Sequence, residues 1–323
     1  MSFHSLGLDP QLLKNVAAQG YTLTTPIQKK AIPAILEGRD VVGLAQTGTG
    51  KTAAFVLPLL HHLLSGPRRQ LRALIVGPTR ELAEQTKDVL LKLGAETGLR
   101  SVTIYGGVGQ QPQINGVRQG AEIAIACPGR LLDLLGQGKF NLNHVTCLVL
   151  DEADRMFDMG FLPDIRKILQ RLPAQRQTLL FSATMPEEIR RLAHEILRNP
   201  VTIQIAHSKP AATVDHALYP VEQSQKAALL LALLHQTGEG SVLVFTRTKH
   251  RAKRLAAQLT AAGHRAASLQ GNLSQRQRQA ALDGFKSGTH RILVATDLAA
   301  RGIDVEDITH VINFDMPATV DDY

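Results

Sequence analysis

Eight residues from Ala45 to Thr52 read Ala-Gln-Thr-Gly-Thr-Gly-Lys-Thr. They follow the apolar run Val41-Val42-Gly43-Leu44 and precede the helix-like stretch Ala53 to Leu64. This is the order strand, phosphate loop, helix. Gly48 and Gly50 let the backbone turn its N–H groups inward around a triphosphate, Lys51 reaches the outer phosphates, and the Thr52 hydroxyl can hold Mg²⁺. The strict pattern opens on Gly and this one on Ala45, but Gly-Lys-Thr between a strand and a helix is kept. A chain with such a loop has to fold as an α/β unit around a nucleotide.

The sequence holds 323 residues at 44% apolar content, enough for two domains with separate cores. Its two cysteines, Cys127 and Cys147, sit in apolar strand-like segments. Neither a disulfide framework nor a thiolate metal cluster fits, and a reducing compartment does. Met1 to Pro10 lacks a charged segment followed by an apolar one, and Ala53 to Leu64 is interrupted by Pro58, His61 and His62. No membrane segment is expected, and a cytoplasmic monomer is. The net charge of +8 suits a polyanion partner, or equally a set of solvated basic faces.

Leu6 to Gly20 reads as a short amphipathic helix with Asp9 as N-cap, Pro10 in the first turn and Gly20 as a stop. Pro26 can begin a helix, which puts Gln28 on the first turn of Ile27 to Leu36. Its amide could pair with adenine's N7 and N6, or simply face solvent. Strand-like runs recur at Ala73 to Val76, Val102 to Tyr105, Ile123 to Ala126, Cys147 to Leu150 and Thr178 to Phe181, with charged helical segments between several of them. Such alternation indicates a parallel sheet covered on both faces, with ligands at the carboxyl ends of the strands. One of those ends leads into Asp151-Glu152-Ala153-Asp154. Opposite a phosphate loop, Asp151 suits a Mg²⁺ shell and Glu152 can orient and deprotonate an attacking water.

With these residues in view the sequence resembles the DEAD-box family of ATP-dependent RNA helicases in superfamily 2, named for the four letters at Asp151 to Asp154. The resemblance covers essentially the whole chain. It implies two tandem RecA-like α/β domains that use ATP and Mg²⁺, bind RNA, and close across a cleft to bend one strand and part a short duplex. Gly20-Tyr21 with Pro26-Ile27-Gln28 resembles the adenine-reading segment, and Phe3 stands at the spacing of an upstream aromatic. That implies Phe3, Tyr21 and Gln28 as nucleotide contacts beside Ala45, Gln46, Thr47, Gly48, Thr49, Gly50, Lys51 and Thr52. Pro78-Thr79-Arg80, Gly106-Gly107 and Pro128-Gly129-Arg130 match the family's RNA-backbone contacts. Apart from the family, each follows a strand end where backbone N–H groups and an arginine can meet phosphates, or where a loop can be merely structural. The family has Thr before Pro-Gly-Arg where this chain has Cys127. Ser182-Ala183-Thr184 matches the motif that links hydrolysis to strand separation, its two hydroxyls able to bridge to Asp154.

Val201 to Ile205 reads as the last strand of the first domain, and a second α/β pattern follows the linker. Its elements are helices at Ala227 to Gln236 and Arg251 to Ala262, with strands at Val242 to Thr246 and Arg291 to Ala295. Arg247, Gln270, Gly271, Gln275, Arg278, Thr296 and Asp297 resemble RNA contacts of the family's second domain. Arg301, Gly302 and Asp304 resemble its motif that meets RNA and nucleotide together. The basic helix from Lys249 to Arg254 reads as a solvated face. Val242 to His250 and the opening Met1-Ser2-Phe3 most resemble the bacterial RhlE subgroup. The expected domains are 1–206, containing the adenine segment 1–29, a linker at 207–216, and 217–323. Tyr323 stands just before the place of the family's His-Arg-x-Gly-Arg motif, so the second domain is expected to be shortened and hydrolysis impaired. An ATP-gated RNA clamp without turnover carries the same motifs and is the alternative.

Overall fold

The computed structural model describes residues 2–46, 48–205, 214–296, 305 and 308–317, and of Gln275 the backbone alone. The chain divides into two units, Met1–Lys209 and Pro210–Tyr323. In the first, seven parallel strands are ordered β3-β4-β2-β5-β6-β1-β7. They are β1 (Val41–Leu44), β2 (Ala73–Val76), β3 (Ser101–Ile104), β4 (Ile123–Ala126), β5 (Cys147–Leu150), β6 (Gln177–Ser182) and β7 (Val201–Gln204). The helices are α1 (Pro10–Ala18), α2 (Pro26–Leu36), α3 (Lys51–Leu64), α4 (Arg80–Leu93), α5 (Gln111–Arg118), α6 (Pro128–Gly136), α7 (Ala153–Asp158), α8 (Leu162–Leu169) and α9 (Glu187–Ile196).

The near-continuous apolar strands are buried on both faces, as parallel strands require. One core holds α1 to α4 against one face of the sheet, and the other holds α5 to α9 against the opposite face. Sequence boundaries move by one to four residues, with local causes. The first helix begins at Pro10 rather than Leu6, because a 3₁₀ turn (Phe3–Leu6) ends at Gly7 with φ +73° and Asp9 then accepts from the Gln11 N–H. Pro58 does not interrupt α3, which runs through it to Leu64. A proline inside a helix costs about 3 kcal/mol. Burial of Phe55, Val56, Leu57, Leu59, Leu60 and Leu63 around it offsets that.

The second unit has four parallel strands ordered β11-β8-β10-β9: β8 (Ser241–Phe245), β9 (Ala266–Leu269), β10 (Ile292–Ala295) and β11 (Ile308–Asn313). Among the described residues they are accompanied by the helices α10 (Lys226–Gln236), α11 (Lys249–Ala261) and α12 (Gln275–Lys286). Both units are thus α/β parallel-sheet domains, the class expected from sequence.

Strand ends are set by register. Leu44 pairs with Ser182, Val76 with Leu150 and Ala126, and Ile104 with Ala126, so the residues after them gather at one edge. Gly43 allows β1 to lie against Phe181, whose ring carbons would stand 2.5 Å from an added Cβ. Gly43→Ala is therefore expected to cost about 1–3 kcal/mol, read as a lower urea midpoint, and Phe181→Leu in the same chain should recover part of it.

Candidate functional site

The phosphate loop starts where β1 stops, with the Ala45 N–H bonded to the Ser182 carbonyl at 3.0 Å. Gly48 and Gly50 have φ of +76° and +86°, in the left-handed region that glycine enters without strain. Gly50 is needed for space as well, since a Cβ there would lie 2.5 Å from Gln28 Nε2. It also caps α3 without any side-chain hydrogen bond, leaving the first N–H groups of that helix to a ligand. Thr49 Oγ1 donates to the Gln46 carbonyl. Thr52 stands half-buried on the first turn of α3. Lys51 is buried and donates to the Ala45 carbonyl at 2.7 Å. Thr47 lies outside the described residues.

Gln28 is no surface amide. It is 4% exposed, its Oε1 accepts from the Thr25 N–H at 2.9 Å, and its Nε2 donates to the Gly50 carbonyl at 3.2 Å. It thereby caps α2 and ties that helix to the phosphate loop. By count, one lone pair and one N–H of the amide are left for a base. Phe3 is buried in the core and stacks on Tyr21, ring centroids 6.3 Å apart. Of the two rings, Tyr21 is the one open to solvent.

Two strands away, β5 delivers three carboxylates. Asp151 and Glu152 are 2% and 5% exposed. Burial and the charge of Glu152 push Asp151 up to about 7, against the pull of Lys51. Burial also raises Glu152, while Arg155 and Lys51 hold it down, the Arg155 guanidinium lying 3.3 Å from its Oε2. Glu152 has φ +52°, a left-handed conformation uncommon for a residue other than glycine. Asp154 looks the other way. Its Oδ2 accepts from the N–H groups of Ala183 and Thr184 and from Thr184 Oγ1, at 2.8–3.1 Å, and its own N–H donates to Ser182 Oγ. The two hydroxyls do meet Asp154, one on its carboxylate and one on its backbone.

These donors fit a phosphate-bound divalent ion. Among the described residues no cluster of three or more His, Cys, Asp or Glu could hold a metal by itself. A Mg²⁺ held by Thr52, Asp151, water and phosphate oxygens needs no such cluster.

Along the same edge, Thr79 caps α4 by accepting from the Leu82 N–H, with Pro78 buried before it. The Arg80 guanidinium packs on Gly107, where a Cβ would collide with it. Gly106 is half-buried and Gly107 exposed in the loop after β3, Pro128 begins α6, and Gly129 is exposed. Arg130 donates to the Val108 carbonyl at 3.2 Å. Cys127, at the N-cap of α6, makes no capping bond, and burial pushes its thiol up to about 12. The sequence reading did not find Gln113, whose Nε2 donates to the Tyr105 and Gly109 carbonyls and closes the glycine loop. A lone glutamine on a short helix gives no pattern to find it by.

In the second unit Thr246, Gln270 and Thr296 each stand one residue past a strand end, side by side and buried. Gly271 is exposed and Arg278 half-buried nearby in sequence. Arg247 is fixed by its N–H on Asp315 and its Nη2 on the Met316 carbonyl. Against the cost of burial, Arg251, the Arg247 N–H and Lys226 hold Asp315 below the usual carboxylate range. The Gln275 side chain, Asp297, Arg301, Gly302, Asp304 and Tyr323 lie outside the described residues. Among the described residues no helix is long and apolar enough to cross a membrane.

A family model described as DEAD/DEAH box helicase matches residues 25–192, and one described as Helicase conserved C-terminal domain matches residues 225–323. The chain is 43% identical over 323 residues to the DEAD-box ATP-dependent RNA helicase RhpA of Helicobacter pylori, covering all of this chain and 65% of that protein. It is 42% identical to the DEAD-box ATP-dependent RNA helicase CshA of Geobacillus kaustophilus, covering 69% of it. The chain therefore spans about two thirds of these relatives, and the RhlE subgroup is not what their names give. Among solved structures it is similar to S. cerevisiae Dbp5 bound to RNA and ADP BeF3, with a TM-score of 0.89, 31% identity, and 99% and 82% of the two chains covered. A DEAD box protein from the hyperthermophile Methanococcus jannaschii matches at a TM-score of 0.61 and 37% identity, with 100% and 87% covered.

The buried carboxylate pair has a pH signature. A folded-state value of about 7 for Asp151 against 3.8 unfolded means that the folded chain binds the extra proton between those limits. Stability without nucleotide or divalent cation should fall as pH rises from about 4 to about 7 and then level. Asp151→Asn removes that loss, so its advantage in urea midpoint should be absent near pH 4 and largest above pH 7.

Proposed function

Because the chain belongs to the DEAD-box family of RNA helicases, we propose that it couples ATP hydrolysis to local separation of short RNA duplexes. The observation that supports this best is the buried pair Asp151 and Glu152 facing the charge of Lys51, with Asp154 bonded to Ser182 and Thr184 at the end of the strand between them and the loop. The loop from Ala45 to Thr52 would take the triphosphate, and Gln28 and Tyr21 the adenine. Thr52 and Asp151 would hold Mg²⁺, which when bound offsets phosphate charge. Glu152 takes the proton of the attacking water, and Arg155 keeps that carboxylate oriented. Lys51 leaves the Ala45 carbonyl for the outer phosphates.

RNA would lie on the carboxyl edges of the sheets, against Pro78 to Arg80, Gly106, Gly107 and Pro128 to Arg130 in the first unit. In the second unit it would meet Arg247, Gln270, Gly271, Gln275, Arg278, Thr296, Asp297 and Arg301, while Gly302 and Asp304 face the nucleotide. Contacts of this kind read phosphates and riboses, so little sequence preference follows. Asp154 relays between the two ligands, since any movement of the 182–184 loop must move its carboxylate. An RhlE-like role in a bacterial cytoplasm, as a monomer, completes the proposal. An ATP-gated clamp would hold RNA without repeated turnover.

The test is RNA-stimulated ATP hydrolysis under multiple turnover in a chain that continues past Tyr323. Glu152→Gln keeps shape and metal contacts but cannot accept the proton. ATP affinity should change by no more than a few fold and turnover should drop by about 10²–10⁴. Retained turnover would remove Glu152 from its role, and stoichiometric binding without turnover in the wild type would favour the clamp. Residues 311–323 contain no Arg or Lys, so these 323 residues measured alone are expected to turn over near background.

A further inference from the structure

We propose that the second unit carries a phosphate seat beyond the motif residues, built by His250 and Lys253 on α11, that holds a flanking nucleotide of the bound RNA. The proposal rests on the RNA-binding reading above and extends it. A cavity of about 350 Å³ opens beside the end of β9, lined by Lys249, His250, Lys253, Ser268, Gln270 and Asn272, with Leu273 and Gln277 at its margin. No carboxylate lines it. Lys249 reaches across to Asn272 Oδ1 at 3.0 Å, a neutral partner that leaves its charge uncompensated. The floor is Gln270, 3% exposed, its Oε1 holding the Asn272 N–H at 2.7 Å.

A second cavity, in the first unit, shows why this matters. Between α6 and α8 in the first unit, about 490 Å³ is lined by Lys167 and Arg171 but also by Asp133 and Asp164. There Lys167 stands 3.6 Å from Asp164, and Asp133 is 3.7 Å from Arg130. That cavity neutralises itself. The one on α11 gathers two lysines and an imidazole and leaves them to an anion, with hydroxyl and amide donors at its base. Lys253 follows Lys249 by one helical turn, on the same face. A strand that touches Gln270 and Gly271 and continues along α11 would bring its next phosphate there. On this reading the basic face, exposed in the free chain, also serves as a binding surface.

Single-stranded RNAs of about 4 and about 16 nucleotides are titrated against the full 323-residue chain with an ATP analogue, across a series of salt concentrations. Lys253→Glu and the double variant with His250→Ala are compared with Lys286→Glu, the same charge change at the end of α12. The seat predicts that Lys253→Glu weakens the long RNA by about 5–20-fold, lowers the log–log salt slope by about 0.7, and spares the short RNA. Lys286→Glu should do neither. Equal binding of the long RNA by Lys253→Glu and wild type would overturn the seat. So would a loss matched by Lys286→Glu, which reports general charge, or inorganic phosphate competing equally with short and long RNA, which places its effect outside the cavity. If the wild type binds neither RNA, the functional reading fails and the seat with it.

Discussion

A row of main-chain hydrogen bonds at the carboxyl edge of the seven-stranded sheet sets where every reactive group of the first unit can be. Ala45 is bonded to Ser182, Gly77 and Cys127 to the ends of β4 and β3, and Asp151 to Val76. Each bond fixes the first residue after a strand, and each of those residues opens a loop with chemistry in it. Parallel pairing makes this possible, because all strands then point their carboxyl ends the same way. The strand order does the rest. With β6 between β1 and β5, the Ser-Ala-Thr loop has to stand between the phosphate loop and the carboxylates.

Electrostatics inside that arrangement is frustrated. Two carboxylates are buried side by side, and the one nearby ammonium is turned onto a backbone carbonyl. A site of this kind is costly when empty, and phosphates with a divalent ion would offset that cost. The second unit shows the opposite solution at Asp315, where one carboxylate is surrounded by Arg251, Lys226 and the Arg247 N–H and needs nothing further.

Much of this was legible in the residues. The apolar four-residue runs of β1, β2, β4 and β5 fall where the sequence puts them, because buried parallel strands have no room for polar side chains. The Gly-Lys-Thr loop and the acidic strand end were legible for the same reason, their chemistry being local. Strand β9, Ala-Ala-Ser-Leu, and strand β11, with exposed Thr309, His310 and Val311, carry no such signal and were not foreseen. Gln28 was placed on the correct turn, but its burial against Gly50 depends on how α2 packs on α3, which no local pattern encodes. The cavity on α11 is hidden in the same way, since Lys249 and Asn272 are 23 residues apart.

The position of β1 also has a meaning in time. That strand leads into the phosphate loop near the start of the chain, yet both its neighbours, β6 and β7, come from the far end of the unit. Asp40, just before β1, accepts from the Thr178 N–H 138 residues later and from the Arg198 N–H 158 residues later. At about 5–20 residues per second, a ribosome delivers β6 roughly 7–27 s after β1. During that interval an apolar strand with two unpaired edges waits beside a loop that has no shape to offer a nucleotide. A ligand of that loop can therefore support the fold only after β6 and β7 have been made.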